Sequence, residues 1–180
     1  MTTIERVLPI PDWDCQHMSE AYLAARKSKD IRTQVGAVIV GPEDHDDRTR
    51  GYNGPLRGLD DTNELIYEKP LEGGPSPFME CAERNAITNA ARIGVSIKGA
   101  SIYSTLSPCA ACARAIVNGG IIEVVLHTQA PSRLNKTQEL GRRILLAGHV
   151  KVRYWSGVPL IDRILYDGQI LNTGEDNASL

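Results

Sequence analysis

The chain has 180 residues, 20 Lys and Arg against 22 Asp and Glu for a formal net charge of −2, and 42% hydrophobic residues. A chain of this length buries about 70% of its unfolded surface in a body of about 16 Å radius of gyration, so one domain forms without disulfide staples. The near-neutral charge excludes wrapping of a nucleic-acid polymer, which needs a basic stripe to displace counterions, and leaves room for a local phosphate pocket. No window approaches the ~20 apolar residues of a membrane span, so no membrane partner is expected and the expected location is the cytoplasm. In that reducing setting the four cysteines read as core thiols, nucleophiles or metal ligands.

Taken in chain order, apolar stripes alternate with apolar runs. Met18, Tyr22, Leu23 and Ala25 mark a helix over Asp14–Ser28, with Asp12 or Asp14 as N-cap. Val35–Val40 reads as a buried strand, and a second strand over Arg48–Tyr52 pairs with it as a hairpin; the acidic loop Glu43–Asp47 between them is its solvated tip. Residues Asn53–Met79 carry Gly54, Pro55, Gly58, Pro70, Gly73, Gly74, Pro75 and Pro77 and form a long loop, a feature that is functional or disordered in compact domains. Cys81–Arg92 is helical with Gly94 beyond its end. Ile102–Leu106 is a strand, Cys109–Asn118 a helix stopped by Gly119-Gly120, and Ile121–Leu126 a strand. A helix over Leu134–Ala147, a strand over Val150–Trp155 and a last helix from Pro159 through Leu165 complete the series. The expected fold is a single-domain three-layer α/β/α sandwich. Its five-stranded mixed sheet carries helices on both faces, with a core over about 14–155 and a C-terminal helix and tail over 156–180. The first two strands are antiparallel and the rest are joined by crossovers.

Three cysteines fall where chemistry is expected. Cys81-Ala82-Glu83 and Pro108-Cys109-Ala110-Ala111-Cys112 each open a helix, where the helix dipole favours thiolates. Three ligands leave zinc an open position for water, the mark of a catalytic site. Glu83, two residues from a ligand and not needed as one, is placed to shuttle protons during attack on the amidine carbon of an aminopyrimidine or aminopurine. Other readings are a redox Cys-x-x-Cys pair, which uses neither Cys81 nor Glu83, and a structural zinc completed by Cys15 or a histidine, which leaves Glu83 unexplained. Cys15 is expected to be a buried core thiol, and His17, His45 and His149 surface residues. His127 ends a central strand at the carboxyl edge and is a candidate for substrate contact. Three thiolates bring a zinc site to a charge of −1; Arg84, on the same helical face as Cys81, offsets it by hydrogen bonding a ligand sulfur.

At these residues the chain resembles the cytidine and deoxycytidylate deaminase superfamily. The likeness extends to Ser28-Lys29-Asp30-Ile31-Arg32-Thr33-Gln34-Val35-Gly36-Ala37, to Gly51-Tyr52-Asn53-Gly54 with Arg57-Gly58 and Asp60-Asp61, to Cys81–Ile87 and to Thr105–Cys109. The second of these segments is similar to dCMP deaminases in particular. The resemblance implies zinc-dependent hydrolysis of dCMP, or a 5-modified dCMP, to dUMP and ammonia in pyrimidine deoxynucleotide metabolism. It implies that Asn53 bonds the sugar hydroxyl, the Ala82 amide the pyrimidine O2 and the Ser107 carbonyl the 4-amino group, with Asn85, Ser28 and Arg32 in the 5′-phosphate region. Relatives are commonly hexamers activated by dCTP with magnesium and inhibited by dTTP, which implies a homo-oligomer and an effector site in the Tyr52–Asp61 region. Two departures stand out. Cys81 occupies a position that is His in most dCMP deaminases, and its Cys-Ala-Glu-Arg pattern is that of small cytidine deaminases. The long loop also lacks the Cys and His that bind a second, structural zinc in some relatives, so one zinc per chain is expected. The rival readings are deamination of free cytidine or deoxycytidine, of a purine or of tRNA adenosine, and a non-catalytic zinc-containing nucleotide-binding protein. Nine aromatic residues (two Trp, six Tyr, one Phe) and no basic stripe weigh against the tRNA option.

Overall fold

The computed structural model describes residues 10–43, 45–68, 76–128 and 135–161, together with the backbone of 163–166 and 169–172. Leu134 as a helix start, Pro70, Gly73, Gly74 and Pro75 of the long loop, and the tail beyond 172 lie outside the described residues.

Helix α1 (Trp13–Ala25) begins where the Asp12 carboxylate accepts the Cys15 N–H at 2.7 Å. Strands β1 (Gly36–Val40) and β2 (Asp47–Tyr52) pair antiparallel, Gly36 opposite Tyr52. The long loop is closed at its base by β3 (Gly54–Pro55) pairing with β4 (Met79–Glu80) and holds a 3-10 turn over Glu64–Tyr67. Then follow α2 (Ala82–Ile93), β5 (Ser101–Ser104), α3 (Ala110–Asn118), β6 (Glu123–His127), α4 (Lys136–Ala147) and β7 (Lys151–Trp155). Gly94 ends α2 with φ 72°, a left-handed C-cap that a side chain would strain. Asn135 and Gln138 cap α4 reciprocally.

The five-stranded sheet runs β2-β1-β5-β6-β7, with β1 antiparallel to β5 and β5, β6 and β7 mutually parallel. Alternation within each strand divides the core in two. Ala37, Ile39, Ile102, Val124 and Leu126 pack with Ala82, Ala86, Ala113, Ile116 and Leu145 on the face of α2, α3 and α4. Val38, Val40, Tyr103 and Val125 pack with Met18, Tyr22 and Ala25 of α1 on the other. The α/β/α sandwich with helices on both faces is thus the architecture present.

The C-terminal helix expected from Pro159 is absent. Arg163–Tyr166 is instead a strand, β8, paired antiparallel with β9 (Gln169–Asn172). The sequence between them is Asp167-Gly168, a dipeptide favoured in two-residue hairpins, and that signal outweighs a proline that suits a first helical turn.

Three single residues also depart from expectation. His17 is buried at 2% exposure rather than on the surface. Cys15 is only half-buried, its thiol donating to the Val158 carbonyl at 3.5 Å. His127, fully buried on the α1 side, is held by the Tyr22 hydroxyl at 2.7 Å and the Gly157 carbonyl at 2.9 Å, so it anchors the sheet to α1 and to the segment after β7. Burial lowers its pKa against the hydrogen bond to Gly157. A His held neutral in the fold stabilises above its unfolded pKa near 6.5, and that stability is lost as pH falls. Tyr22→Phe, which removes one bond of this buried pair, is expected to cost about 1–3 kcal/mol in urea unfolding at pH 7.5, and a loss below 0.5 kcal/mol would show the bond to be idle.

Candidate active site

Cys81 and Cys109 are the N-cap residues of α2 and α3, and neither makes a side-chain capping bond. Both helices therefore start with a sulfur in the place where a Ser or Asp oxygen would close on the first-turn amides. Cys112, one turn into α3, is fully buried. The three sulfurs lie within 4.8 Å of one another, with Cys109 and Cys112 3.5 Å apart. Zinc bound to sulfur at about 2.3 Å in a tetrahedron sets its sulfurs about 3.8 Å apart, so the donor set fits zinc in both chemistry and spacing.

Three thiols this close repel one another as thiolates, so they ionise together only around a cation. Hydrogen bonds from the Cys112 and Cys81 thiols pull Cys109 far below the ordinary thiol value. The same bonds to Cys109 push Cys112 and Cys81 up.

Glu83 is 3% exposed, one turn into α2. The Cys112 thiol donates to its Oε2 at 3.4 Å and the Ser104 hydroxyl to its Oε1 at 3.3 Å. Burial pushes the carboxyl up to about 7, and charge on Cys109 adds to the push. A carboxyl that exchanges its proton near neutral pH is suited to general acid–base work. Sequence reading missed Ser104, which is buried at the carboxyl end of β5 beside the equally polar Thr105.

Arg84 departs from the expected bond to a sulfur. Its guanidinium pairs with Glu80 across one turn, while its Nε is buried without a partner. Glu80 Oε1 also accepts the Cys81 N–H at 2.8 Å. The ladder between β3 and β4 thus seats a carboxylate that fixes both a cluster cysteine and the arginine. Burial opposes charge on Arg84, but Glu80 and the Cys81 and Cys112 sulfurs outweigh it and hold its pKa up. The field of Arg84 therefore reaches the sulfurs without a direct bond.

The other expected contacts are spread more widely. Ala82 is buried in the first turn of α2, and Ser107 precedes Cys109, its carbonyl accepting from Gln138 Nε2 at 3.2 Å. Asn53 braces the segment before β1: its Oδ1 accepts the Val35 N–H at 2.7 Å and its Nδ2 donates to the Thr33 carbonyl at 2.7 Å. Ser28 is turned into its own loop, accepting from the Asp30 amide, and Arg32 is exposed. Asn85 lies about 200° around α2 from Glu83 and donates to the Tyr52 carbonyl at 2.8 Å. There it lines a cavity of about 210 Å³ with Lys29, Tyr52, Arg57, Asp61 and Asn89.

The model of the cytidine and deoxycytidylate deaminase zinc-binding region matches residues 11–128, a span that contains all three sulfurs and Glu83. The chain belongs to this family. Human deoxycytidylate deaminase is 32% identical over 165 residues, 90% of this chain and 89% of that protein. The probable deoxycytidylate deaminase of Drosophila melanogaster is 33% identical over 93% of this chain and 83% of its own. Among solved structures, the dCMP deaminase of the cyanophage S-TIM5 in complex with dCMP and dUMP superimposes with a TM-score of 0.61 at 25% identity, covering 78% of this chain and 94% of that one. Among the described residues of this member, no helix is long and apolar enough to cross a membrane.

Proposed function

We propose that the protein hydrolyses dCMP, or a 5-modified dCMP, to dUMP and ammonia, with zinc held by Cys81, Cys109 and Cys112 and with Glu83 as the catalytic acid and base. The observation that carries this reading is the burial of Glu83 against the three-sulfur cluster in a chain that aligns along most of its length with proteins named deoxycytidylate deaminase. Zinc bound there supplies the Lewis acidity that lets water lose a proton near neutral pH. Glu83 would accept a proton from the attacking water and pass it to N3 of the base, then take the proton of the new C4 hydroxyl and deliver it to the departing amine, leaving the C4 carbonyl, so one carboxyl serves both transfers. The Ser104 hydroxyl shares its one hydrogen between the Leu106 carbonyl at 2.9 Å and the carboxyl at 3.3 Å. The Ala82 amide, which no intrahelical bond claims, meets the pyrimidine O2, and the Ser107 carbonyl receives the 4-amino group. Asn53 reaches the sugar hydroxyl with the remaining lone pair of Oδ1, and Ser28 and Arg32 serve the 5′-phosphate side, while Asn85 belongs to the wall of the Tyr52–Asp61 cavity.

Arg84 offsets the −1 charge of a three-thiolate zinc site through space, with Glu80 fixing its direction. Removing this cation raises neighbouring pKa values, so Arg84→Ala is expected to move the rising limb of the pH–rate profile up by about one unit; an unmoved profile would reduce Arg84 to a surface ion pair. The cavity under Tyr52–Asp61, with Lys29 and Arg57 on its wall, suits the phosphates of a dCTP effector with magnesium, opposed by dTTP, in a homo-oligomer of the hexameric kind.

The deciding experiment incubates the purified protein with dCMP, dCTP, deoxycytidine and deoxyadenosine, with and without dCTP as effector, and follows ammonia release. Release from dCMP alone is the expected result. Release from deoxycytidine in preference would reassign the substrate to a free nucleoside, and release from none would sink the enzyme reading.

A further inference from the structure

A second group of ligating side chains converges on the opposite face of the sheet. His17 lies in the middle of α1, Glu20 follows it by one turn, and Asp47 opens β2. His17 Nδ1 is 3.3 Å from Asp47 Oδ1 and 3.5 Å from Glu20 Oε2, and the three ligand atoms lie within 4.8 Å of one another. We propose that His17, Glu20 and Asp47 bind a divalent transition metal of the zinc class, through Nδ1 and one oxygen of each carboxylate, with water completing the shell.

Spacing, orientation and shielding support this site. Hydrogen bonds from a ring nitrogen cluster at about 2.9–3.0 Å, and both separations here are longer. They match the edge of a tetrahedron around zinc with bonds of about 2.0–2.1 Å, which is about 3.4 Å. The ligating atoms are also held in place: Gln16 Nε2 donates to Glu20 Oε1 at 2.6 Å, so that Oε2 is the oxygen turned toward His17. Neighbours of this kind orient metal ligands. His17 is 2% exposed, and with a metal on Nδ1 its buried Nε2 keeps the ring proton. Trp13 stacks on His17 at 5.6 Å and on His45 at 4.6 Å, walling the site against bulk water, while Glu20 and Asp47, at 22% and 31% exposure, leave an entry.

Two carboxylates facing one imidazole call for a cation, and a proton on His17 is the competing occupant. Burial opposes that proton, but Asp47 and Glu20 favour it and hold the His17 pKa above its ordinary value. Asp14 adds negative charge near His17, and Arg50 adds positive charge near Asp47. A proton at Nδ1 would be donated across long distances to either oxygen, whereas both separations from Nδ1 suit a shared metal. Nitrogen and carboxylate donors suit zinc, cobalt or nickel. The sequence expectation of a single zinc rested on the Cys- and His-free long loop; this cluster comes instead from α1 and β2 and ties the helix to the hairpin.

Cobalt separates the two sites, because cobalt bound to thiolate has an intense near-ultraviolet charge-transfer band and cobalt bound to nitrogen and oxygen does not. The intact protein is equilibrated with zinc or cobalt at pH 7.5, and bound metal is measured after gel filtration. About two equivalents per chain are expected for the wild type. About one is expected for both His17→Gln and Asp47→Asn, with the thiolate band and the deaminase rate kept. Asp47 is partly exposed, so its variant tests the site even where His17→Gln perturbs packing. One equivalent in the wild type, or two undiminished in both variants, would overturn the proposal. Loss of the thiolate band from the wild type would count against the three-cysteine zinc reading alone.

Discussion

Glu83→Gln is expected to reduce dCMP turnover by at least about 10²–10⁴-fold, the span a positioned acid–base group supplies, while the purified variant retains zinc at the thiol cluster. The substitution keeps the length and shape of the side chain, and Ser104 can still donate to the amide oxygen. What is lost is the ability to take a proton near neutral pH, which burial gives this carboxyl by pushing it up to about 7. Measuring kcat, KM and zinc content together separates the outcomes. Retained zinc with lost kcat identifies Glu83 as the proton carrier. Lost zinc with lost kcat makes it a structural support of the cluster, and retained kcat would remove it from the mechanism.

Gly141→Ala is expected to be strongly damaging, because this glycine is packed against the segment that carries Cys109. A Cβ at this position of α4 would sit 2.9 Å from the Cys109 carbonyl carbon and 3.0 Å from its oxygen, and closer still to the Pro108 carbonyl oxygen. All of these are backbone atoms, so α4 must retreat or the segment carrying Cys109 must shift. Overpacking of this kind costs about 1–3 kcal/mol and occasionally more. Because the strain falls on the residue that caps α3 with its sulfur, zinc affinity is expected to weaken along with stability. Thermal unfolding with and without excess zinc is the check, and a wild-type melting temperature in both would show that the close approach is relaxed in solution.

The cluster was legible in the sequence because each of its signals is local: the Cys-Ala-Glu triplet and the Cys-x-x-Cys pair each lie at a helix start of their own. The sheet was legible for a similar reason, since apolar runs such as Val35–Val40 and Ile121–Leu126 alternate with helical stripes. Features that depend on partners distant in sequence were not. Arg84 is a local exception: it looked like a sulfur donor because Cys81 shares its helical face, but Glu80, four residues before it, takes the guanidinium. His17 was expected on the surface, yet the hairpin brings Asp47 and β5 brings Tyr103 to its ring, and Trp13 stacks on it from the preceding turn of α1. The C-terminal hairpin was obscured by a proline that fits a helix start as well as it fits an irregular link.

The two uncapped helix starts carry a consequence for how the fold holds together. Cys81 and Cys109 leave the first-turn amides of α2 and α3 without the oxygen that usually closes them, and both helices pack in the core that the sheet presents on that side. A cation gripping both sulfurs rivets two helix ends that the chain itself leaves loose, and so joins segments on either side of β5. Catalytic readiness and the integrity of that half of the core are then one property: whatever chelates the metal unfastens both helices together, and amide exchange in their opening turns is where the loosening is recorded first.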